Sequence, residues 1–225
     1  MPLHDCEVRD PRIRRTRQLL QGALERLMQR RSFEEISVQE ITEEATVNRA
    51  TFYDHYNDKF ALLDALIASG FLRILHERDV RYEGGCPSQA TALIATTCDH
   101  LALIHASGRC AKKNPFEPLI DAAIIGAIRK VLTRSFRESG QAGRDSHTIP
   151  LSAEMAATAA SAAIYGAAKE WMREAAASPA NHPSVQEITP KIFELILPML
   201  KNLPASPASS KEPEESASVP APARS

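Results

Sequence analysis

Two helix starts crowd into one short stretch, SVQEITEEATVNRATFYDHYNDK (37–59), and this leaves few ways to fold it. Ser37 and Glu40 have the spacing of a capping box, in which each caps the other's backbone amide, and Ile36 and Ile41 can staple across it. Val38, Ile41 and Ala45 then make a short apolar face. Thr46-Val47-Asn48 interrupts it, Asn48 can cap again, and Val47 with Phe52 offers a second staple. A helix begun at Ser37 therefore has about two turns before the next one starts. Two short helices joined by about three or four residues suit a helix-turn-helix corner.

The flanking sequence predicts helices on both sides. Asp10-Pro11 is a good helix start, and Leu20, Leu24, Leu27 and Met28 recur at helical spacing up to Arg30 and Arg31. After Asn57 or Asp58, Leu63, Leu66, Ile67, Phe71, Ile74 and Leu75 give a long apolar face that runs to about Arg78. Tyr82 to Pro87, with Gly84-Gly85, reads as a loop. Further helices are expected from Ser88 or Gln89 to Ser107, from about Pro115 to Glu138, from Leu151 to Ala177, and within 184–202. For the last, Ser184 with Glu187 and Thr189-Pro190 are competing starts, and Pro198 should kink or shorten it. The prediction is an all-α protein in four parts: a basic arm at 1–9, a helix-turn-helix domain at 10–57, a helical body at 58–202, and a Pro/Ala/Ser-rich tail at 203–225 without apolar periodicity, expected to be disordered.

Composition narrows the class. Aromatic residues make up only 5% and Gly is scarce, which leans towards helix. The net charge of −1 hides a local cluster, Arg9, Arg12, Arg14, Arg15 and Arg17, that can serve phosphates or simply form a solvated helix end. Cys6, Cys86, Cys98 and Cys110 form no CxxC pair and no zinc-finger spacing, so neither metal nor cofactor is expected. Residues 1–20 lack an apolar segment and no apolar run reaches about 18 residues, so the expectation is a cytoplasmic protein with reduced thiols. No HExxH, no Gly-rich phosphate loop and no clustered nucleophile and base support an enzyme.

The helix opened by Asn48 has two unlike faces. Phe52 and Tyr56 can pack inward on Val38, Ile41 and Ala45. Arg49, Ala50, Thr51, Tyr53 and Asp54 lie elsewhere on the cylinder, where donors, a small residue and an aromatic hydroxyl suit insertion into a major groove of double-stranded DNA. Asp54 repels phosphate; it is either a solvated spectator, the favoured reading, or an acceptor for a cytosine amine. Ser37, with the first amides of its helix, is a candidate for one further phosphate.

These residues also resemble a known family. From Arg14 to Phe71 the chain is similar to the head of TetR/AcrR-type regulators, through Phe33, Ile41, Ala45, Thr51-Phe52-Tyr53, His55-Tyr56, Lys59 and Leu62-Leu63. The resemblance implies a homodimer on a pseudo-palindromic operator, most often as a ligand-responsive repressor. It implies phosphate contacts from Thr51, Tyr53, His55 and Lys59 and base-edge contacts from Arg49 and Ala50. One departure stands out: the family usually has Gly at the corner where this chain has Thr46. A β-branched residue is poor in the left-handed conformation common there, so the corner is either strained by roughly 1–2 kcal/mol or shaped differently.

In the body, Ala153, Ala156, Ala157, Ala160, Ala163, Ala167 and Ala168 make one helix nearly smooth. With Ile188, Ile192, Leu195, Ile196 and Met199 it suits a two-fold interface, and in the resembled family the last two helices form the dimer; the other reading is an internal core helix. His100, His105, Tyr165 and Trp171 are polar-tipped residues on apolar helices and are candidates to line the pocket of an unidentified small-molecule effector. Two alternatives stay open: a redox or metal sensor using Cys86, Cys98, Cys110 and His100, and a helical interaction module that does not bind DNA.

Overall fold

The computed structural model describes residues 10–82, 86–106, 116–138, 152–178 and 182–201. The predicted arm at 1–9, the tail at 203–225, Cys6 and Cys110 lie outside the described residues. Among the described residues every regular element is helical: α1 (Pro11–Met28), a 3-10 turn (Phe33–Glu35), α2 (Val38–Ala45), α3 (Arg49–His55), α4 (Lys59–Glu77), α5 (Pro87–Ala106), α6 (Glu117–Glu138), α7 (Ala153–Ala177) and α8 (Val185–Lys201). No described helix is long and apolar enough to cross a membrane.

The caps form where the side chains required them. Asp10 accepts from the Arg12 amide at 2.8 Å, Asn48 from Ala50 at 2.8 Å and Asp58 from Ala61 at 2.7 Å. At Ser37 both halves of the capping box are made. The competition at the last helix is won by Ser184, whose amide donates to Glu187 at 2.8 Å; α8 then runs through Pro190 and Pro198 to Lys201, so Pro198 does not shorten it. α1 ends at Met28, before Arg30 and Arg31. Those two arginines turn towards α2 instead: Arg31 pairs with Glu40 at 2.5 Å, and Arg26 and Arg30 pair with Glu44 at 2.6 and 3.9 Å.

Two apolar clusters organise the chain. The first joins Leu20, Ala23, Leu24 and Leu27 of α1 with Phe33, Ile36, Ile41, Ala45, Phe52 and Tyr56, and takes in Leu62, Leu63 and Ala65 of α4. The second begins further along the same helix at Ala68, Phe71 and Leu75, and is completed by α5 to α8. α4 therefore belongs to both cores. α6 packs on α4 and α7, while α5 and α8 pack on each other and on α7. The Ala-rich face of α7 is what permits this: Ala157, Ala160 and Ala168 are fully buried, so neighbouring helices can approach closely. Also from α7, Tyr165 and Lys169 reach Asp121 of α6 at 2.6 and 2.5 Å.

Candidate nucleic-acid interface

The α2–α3 corner turns on Thr46. Its φ is 57° and its ψ 44°, the left-handed conformation for which Gly is the usual choice. The Val47 amide reaches back to the Thr42 carbonyl at 3.0 Å and the Thr46 amide to Glu43 at 3.1 Å, which closes the end of α2 in a Schellman motif. The corner thus keeps the geometry that a Gly would adopt and holds a β-branched residue in it.

From this corner α3 emerges with its inner face locked. Phe52 is fully buried and Tyr56 nearly so. The Tyr56 hydroxyl accepts from Gln21 of α1 at 3.1 Å, and Gln21 in turn accepts from Ser69 of α4 at 2.8 Å. The Arg17 guanidinium lies 5.5 Å from the Tyr56 ring centroid. Arg17 is thus buried against α3 and not available to phosphate, unlike Arg12, Arg14 and Arg15, which are exposed. The Gln21 bridge was not anticipated. Its signal is a polar residue set between Leu20 and Leu24 in an apolar stripe, facing a tyrosine hydroxyl that needs a partner once buried.

The outer face of α3 is open. Arg49, Ala50, Tyr53 and Asp54 are exposed, with Thr51 and His55 half-buried at its edges. Arg49 donates to the Tyr53 hydroxyl at 3.3 Å, and its guanidinium carbon sits 5.7 Å from the Tyr53 ring centroid.

Two of the expected phosphate ligands have other work. The Lys59 ammonium donates to the carbonyls of Phe33, Glu34 and Ile36 at 3.1, 2.9 and 2.7 Å, and stands 4.8 Å from the Phe33 ring centroid. Its donors close the open end of the 3-10 turn, so it ties α4 to the loop before α2 instead of reaching outward. The Ser37 hydroxyl donates to the Glu40 carboxylate at 2.9 Å, and that carboxylate also accepts the Ser37 amide at 2.9 Å. A negative group therefore already sits at the start of α2, where a phosphate was expected. Bonds from Ser37, and then the Arg31 ion pair, hold Glu40 below the usual carboxylate range.

Residues 20–66 match the family profile described as "Bacterial regulatory proteins, tetR family". The match falls within the head, from Leu20 in α1 to Leu66 in α4. An uncharacterized HTH-type transcriptional regulator of Bacillus subtilis (strain 168), YxbF, is 28% identical over 102 residues, which is 43% of this chain and 27% of that protein. The chain thus aligns with only about a quarter of the length of that curated relative. Among solved structures, the fatty acid degradation regulator FadR of Bacillus halodurans is similar with a TM-score of 0.44 at 15% identity, covering 86% of this chain and 97% of that one. The TetR family repressor AlkX of a Dietzia species gives 0.44 at 14% identity, covering 84% and 98%. Within the matched residues, α2 and α3 form the helix-turn-helix.

The body's candidate residues have different surroundings. Tyr165 is buried with its hydroxyl on Asp121, and the Trp171 indole donates to the Pro183 carbonyl at 2.9 Å while stacking on His182. His100 is half-buried with its ring 5.4 Å from Phe71, and His105 is exposed at the end of α5. A cavity of about 150 Å³ lies elsewhere, lined by Leu72, Leu75, His76, Asp79, Val80, Arg81 and Val131. It is small against the roughly 300–1,000 Å³ of a typical ligand pocket. Among the described residues no group of three or more His, Cys, Asp or Glu side chains could hold a metal ion. Burial pushes the Cys98 thiol up to about 12, so it stays protonated and is a poor nucleophile.

Proposed function

We infer that this chain is a sequence-specific transcription regulator that binds a pseudo-palindromic operator as a homodimer, and that an effector bound in the body changes its affinity for DNA. The observation that carries the reading is α3: Phe52 and Tyr56 lock it from within, while Arg49, Ala50 and Tyr53 stand exposed on its outer face. A rigid helix with a polar, partly cationic outer face is what major-groove insertion needs. Arg49 and Ala50 meet base edges, Thr51, Tyr53 and His55 hold the backbone on either side, and Arg12, Arg14 and Arg15 serve nearby phosphates. Lys59 and Ser37 position the frame.

The dimer is assigned to α7 and α8, where Met155, Leu195 and Met199 are 60%, 69% and 42% exposed. Ala159, Ala162 and Gly166 leave the surface of α7 between them smooth. Burying such a face on a second copy removes apolar area from water and sets the spacing of the two heads. The head is assigned to 10–57 and the body to 58–202, with α4 joining the two cores. A repressor role follows the family's commonest mode.

Selection from random duplex DNA tests the reading. It should return a palindrome with half-sites about one helical turn apart, roughly 34–36 Å. Unchanged operator affinity and salt dependence in Arg49→Ala with Tyr53→Phe would remove α3 from the DNA-binding role.

A further inference from the structure

Arg49 differs from the three arginines that pair with α2. Arg26, Arg30 and Arg31 end on the carboxylates of Glu44 and Glu40. Arg49 ends instead on a neutral partner four residues along the same exposed face, at 3.3 Å from the Tyr53 hydroxyl and with its guanidinium near the ring. A neutral partner leaves the positive charge uncompensated. It also restricts the side chain, because residues at i and i+4 of a helix are neighbours and an aromatic face holds a guanidinium in plane-defined contact. One guanidinium nitrogen is engaged by the hydroxyl, and a guanidinium carries five N–H donors, so others remain for a base edge. The base-edge contact assigned to Arg49 thereby acquires a preferred partner.

The geometry points to guanine: Arg49, held by Tyr53, reads a single guanine in each operator half-site, and Tyr53 acts as the positioning residue for that reading. This rests on the DNA-binding role proposed above and specifies its sequence. The argument is one of donors and acceptors. Arginine has donors and no acceptor. In the major groove guanine presents two adjacent acceptors, N7 and O6. Adenine pairs its N7 acceptor with an N6 donor, cytosine presents a donor, and thymine presents one acceptor beside a methyl group. Only guanine meets two arginine N–H groups without placing donor against donor. A guanidinium already restrained before binding loses less freedom on contact, which strengthens the discrimination. The Tyr53 hydroxyl accepts from Arg49 and keeps its own proton, so it can still donate to a phosphate.

The test is selection from random duplex DNA with the full chain and three variants, followed by affinity measurements on duplexes that differ at single half-site positions. All three variants change exposed side chains, and a circular dichroism melt verifies that each folds. Wild type should enrich guanine at one half-site position, preferred over adenine by roughly tenfold to a hundredfold. Arg49→Ala should bring that position, and no other, close to parity. Arg49→Gln should turn its preference towards adenine, because a carboxamide offers one donor and one acceptor. Tyr53→Phe should weaken every duplex somewhat and also narrow the guanine-to-adenine ratio at that position severalfold.

A selected half-site with no position governed by Arg49 overturns the guanine assignment while leaving DNA recognition intact. A guanine preference that Tyr53→Phe leaves unchanged in ratio overturns the positioning role of Tyr53. Binding without any sequence preference in wild type defeats the broader DNA-reading role, and this one with it.

Discussion

The head and the body use the same secondary structure and pack it in opposite ways. The head is built from short helices closed by explicit caps and filled by large side chains: Phe33, Phe52, Tyr56 and four leucines and isoleucines of α1 and α2 meet in one cluster. The body is built from long helices that approach closely because Ala157, Ala160 and Ala168 carry almost no side chain. The head's geometry is therefore over-determined locally, which a helix inserted into DNA requires. The body's geometry depends on how smooth helix faces pack, and in the proposed dimer a change there would alter the spacing of the two heads. The two cores meet on α4, and Phe116 and Leu119 at the start of α6 also pack on the head core, so a shift in one can be felt by the other.

The contrast breaks most visibly when each core is altered in its own weak direction. Phe52→Ala should destabilise the head by about 3–5 kcal/mol, because it opens a cavity where a fully buried ring now stands. Urea melts followed by amide exchange should show α1 to α3 losing protection while α6 and α7 keep theirs. In the body the sensitive change is the reverse. Ala160→Leu should cost about 1–3 kcal/mol by overpacking. It should leave α3 protected and lower the thermal midpoint of the whole chain. If Phe52→Ala melts both regions together, the cores are not separable.

Lys59 sharpens the comparison at the joint between the two. Lys59→Met keeps the stem and removes donors from the three carbonyls of Phe33, Glu34 and Ile36. The expected loss is about 1–3 kcal/mol of head stability. The slope of log affinity against log salt should stay as it is, because no phosphate contact goes with it. A fall in that slope of about 1 would return Lys59 to the phosphate-binding set.

The same contrast explains what could be read in advance. The helix-turn-helix was legible because its signals are local: Ser37 with Glu40, and Asn48 with Ala50, decide two helix starts within a few residues. The dispositions of Arg49 and Phe52 follow from helical period alone. The internal partners of Lys59 and Ser37 could not be read in advance, because they depend on where a carbonyl or a carboxylate points, and sequence spacing does not carry that. Arg17 is the same case: it belongs to a basic run by sequence, yet the fold turns it onto Tyr56. In the body, Tyr165 and Trp171 pair with Asp121 and Pro183, far along the chain. No local pattern specifies such pairings, so the core contacts of Tyr165 and Trp171 were not legible from polar tips on apolar helices.

Two helix ends allow a finer comparison of the regions. Thr46 closes α2 in the head and Asp79 follows α4 in the body, with positive φ values of 57° and 50°. Asp tolerates this conformation through its short polar side chain, whereas a β-branched residue does not. Gly at either site would remove strain but would also cost about 0.5–1 kcal/mol in the freedom it gains when unfolded. At Thr46 a strain of roughly 1–2 kcal/mol exceeds that cost. Thr46→Gly should therefore stabilise by about 0.5–1 kcal/mol, and Asp79→Gly should change stability by less than about 0.5 kcal/mol. Equal responses in thermal melts would mean that Thr46 is not strained.

The smallest effect is expected inside the body, from His100. Burial first, and then the nearby Arg78 charge, hold its pKa below the ordinary histidine value of 6.5. Its Nδ1 has no hydrogen-bond partner, which fits a ring kept neutral against Phe71. A lowered folded-state pKa means that the unfolded chain binds the proton more tightly. The stability from His100 is thus complete above pH 6.5 and declines as pH falls from there towards the folded value. Wild type should accordingly lose stability between pH 7.5 and 5.5, both chosen to bracket the ordinary value of 6.5. His100→Phe should lose less over the same interval, since it has nothing to protonate there. The difference between the two slopes is the measure, because it cancels the contribution of the other histidines. Because His100 lies in the second core, the excess loss should appear as weakened exchange protection in α4 and α5. Head amides in α2 and α3 should respond equally in both proteins, and a head-specific change would show that α4 transmits the protonation of His100 into the DNA-reading corner.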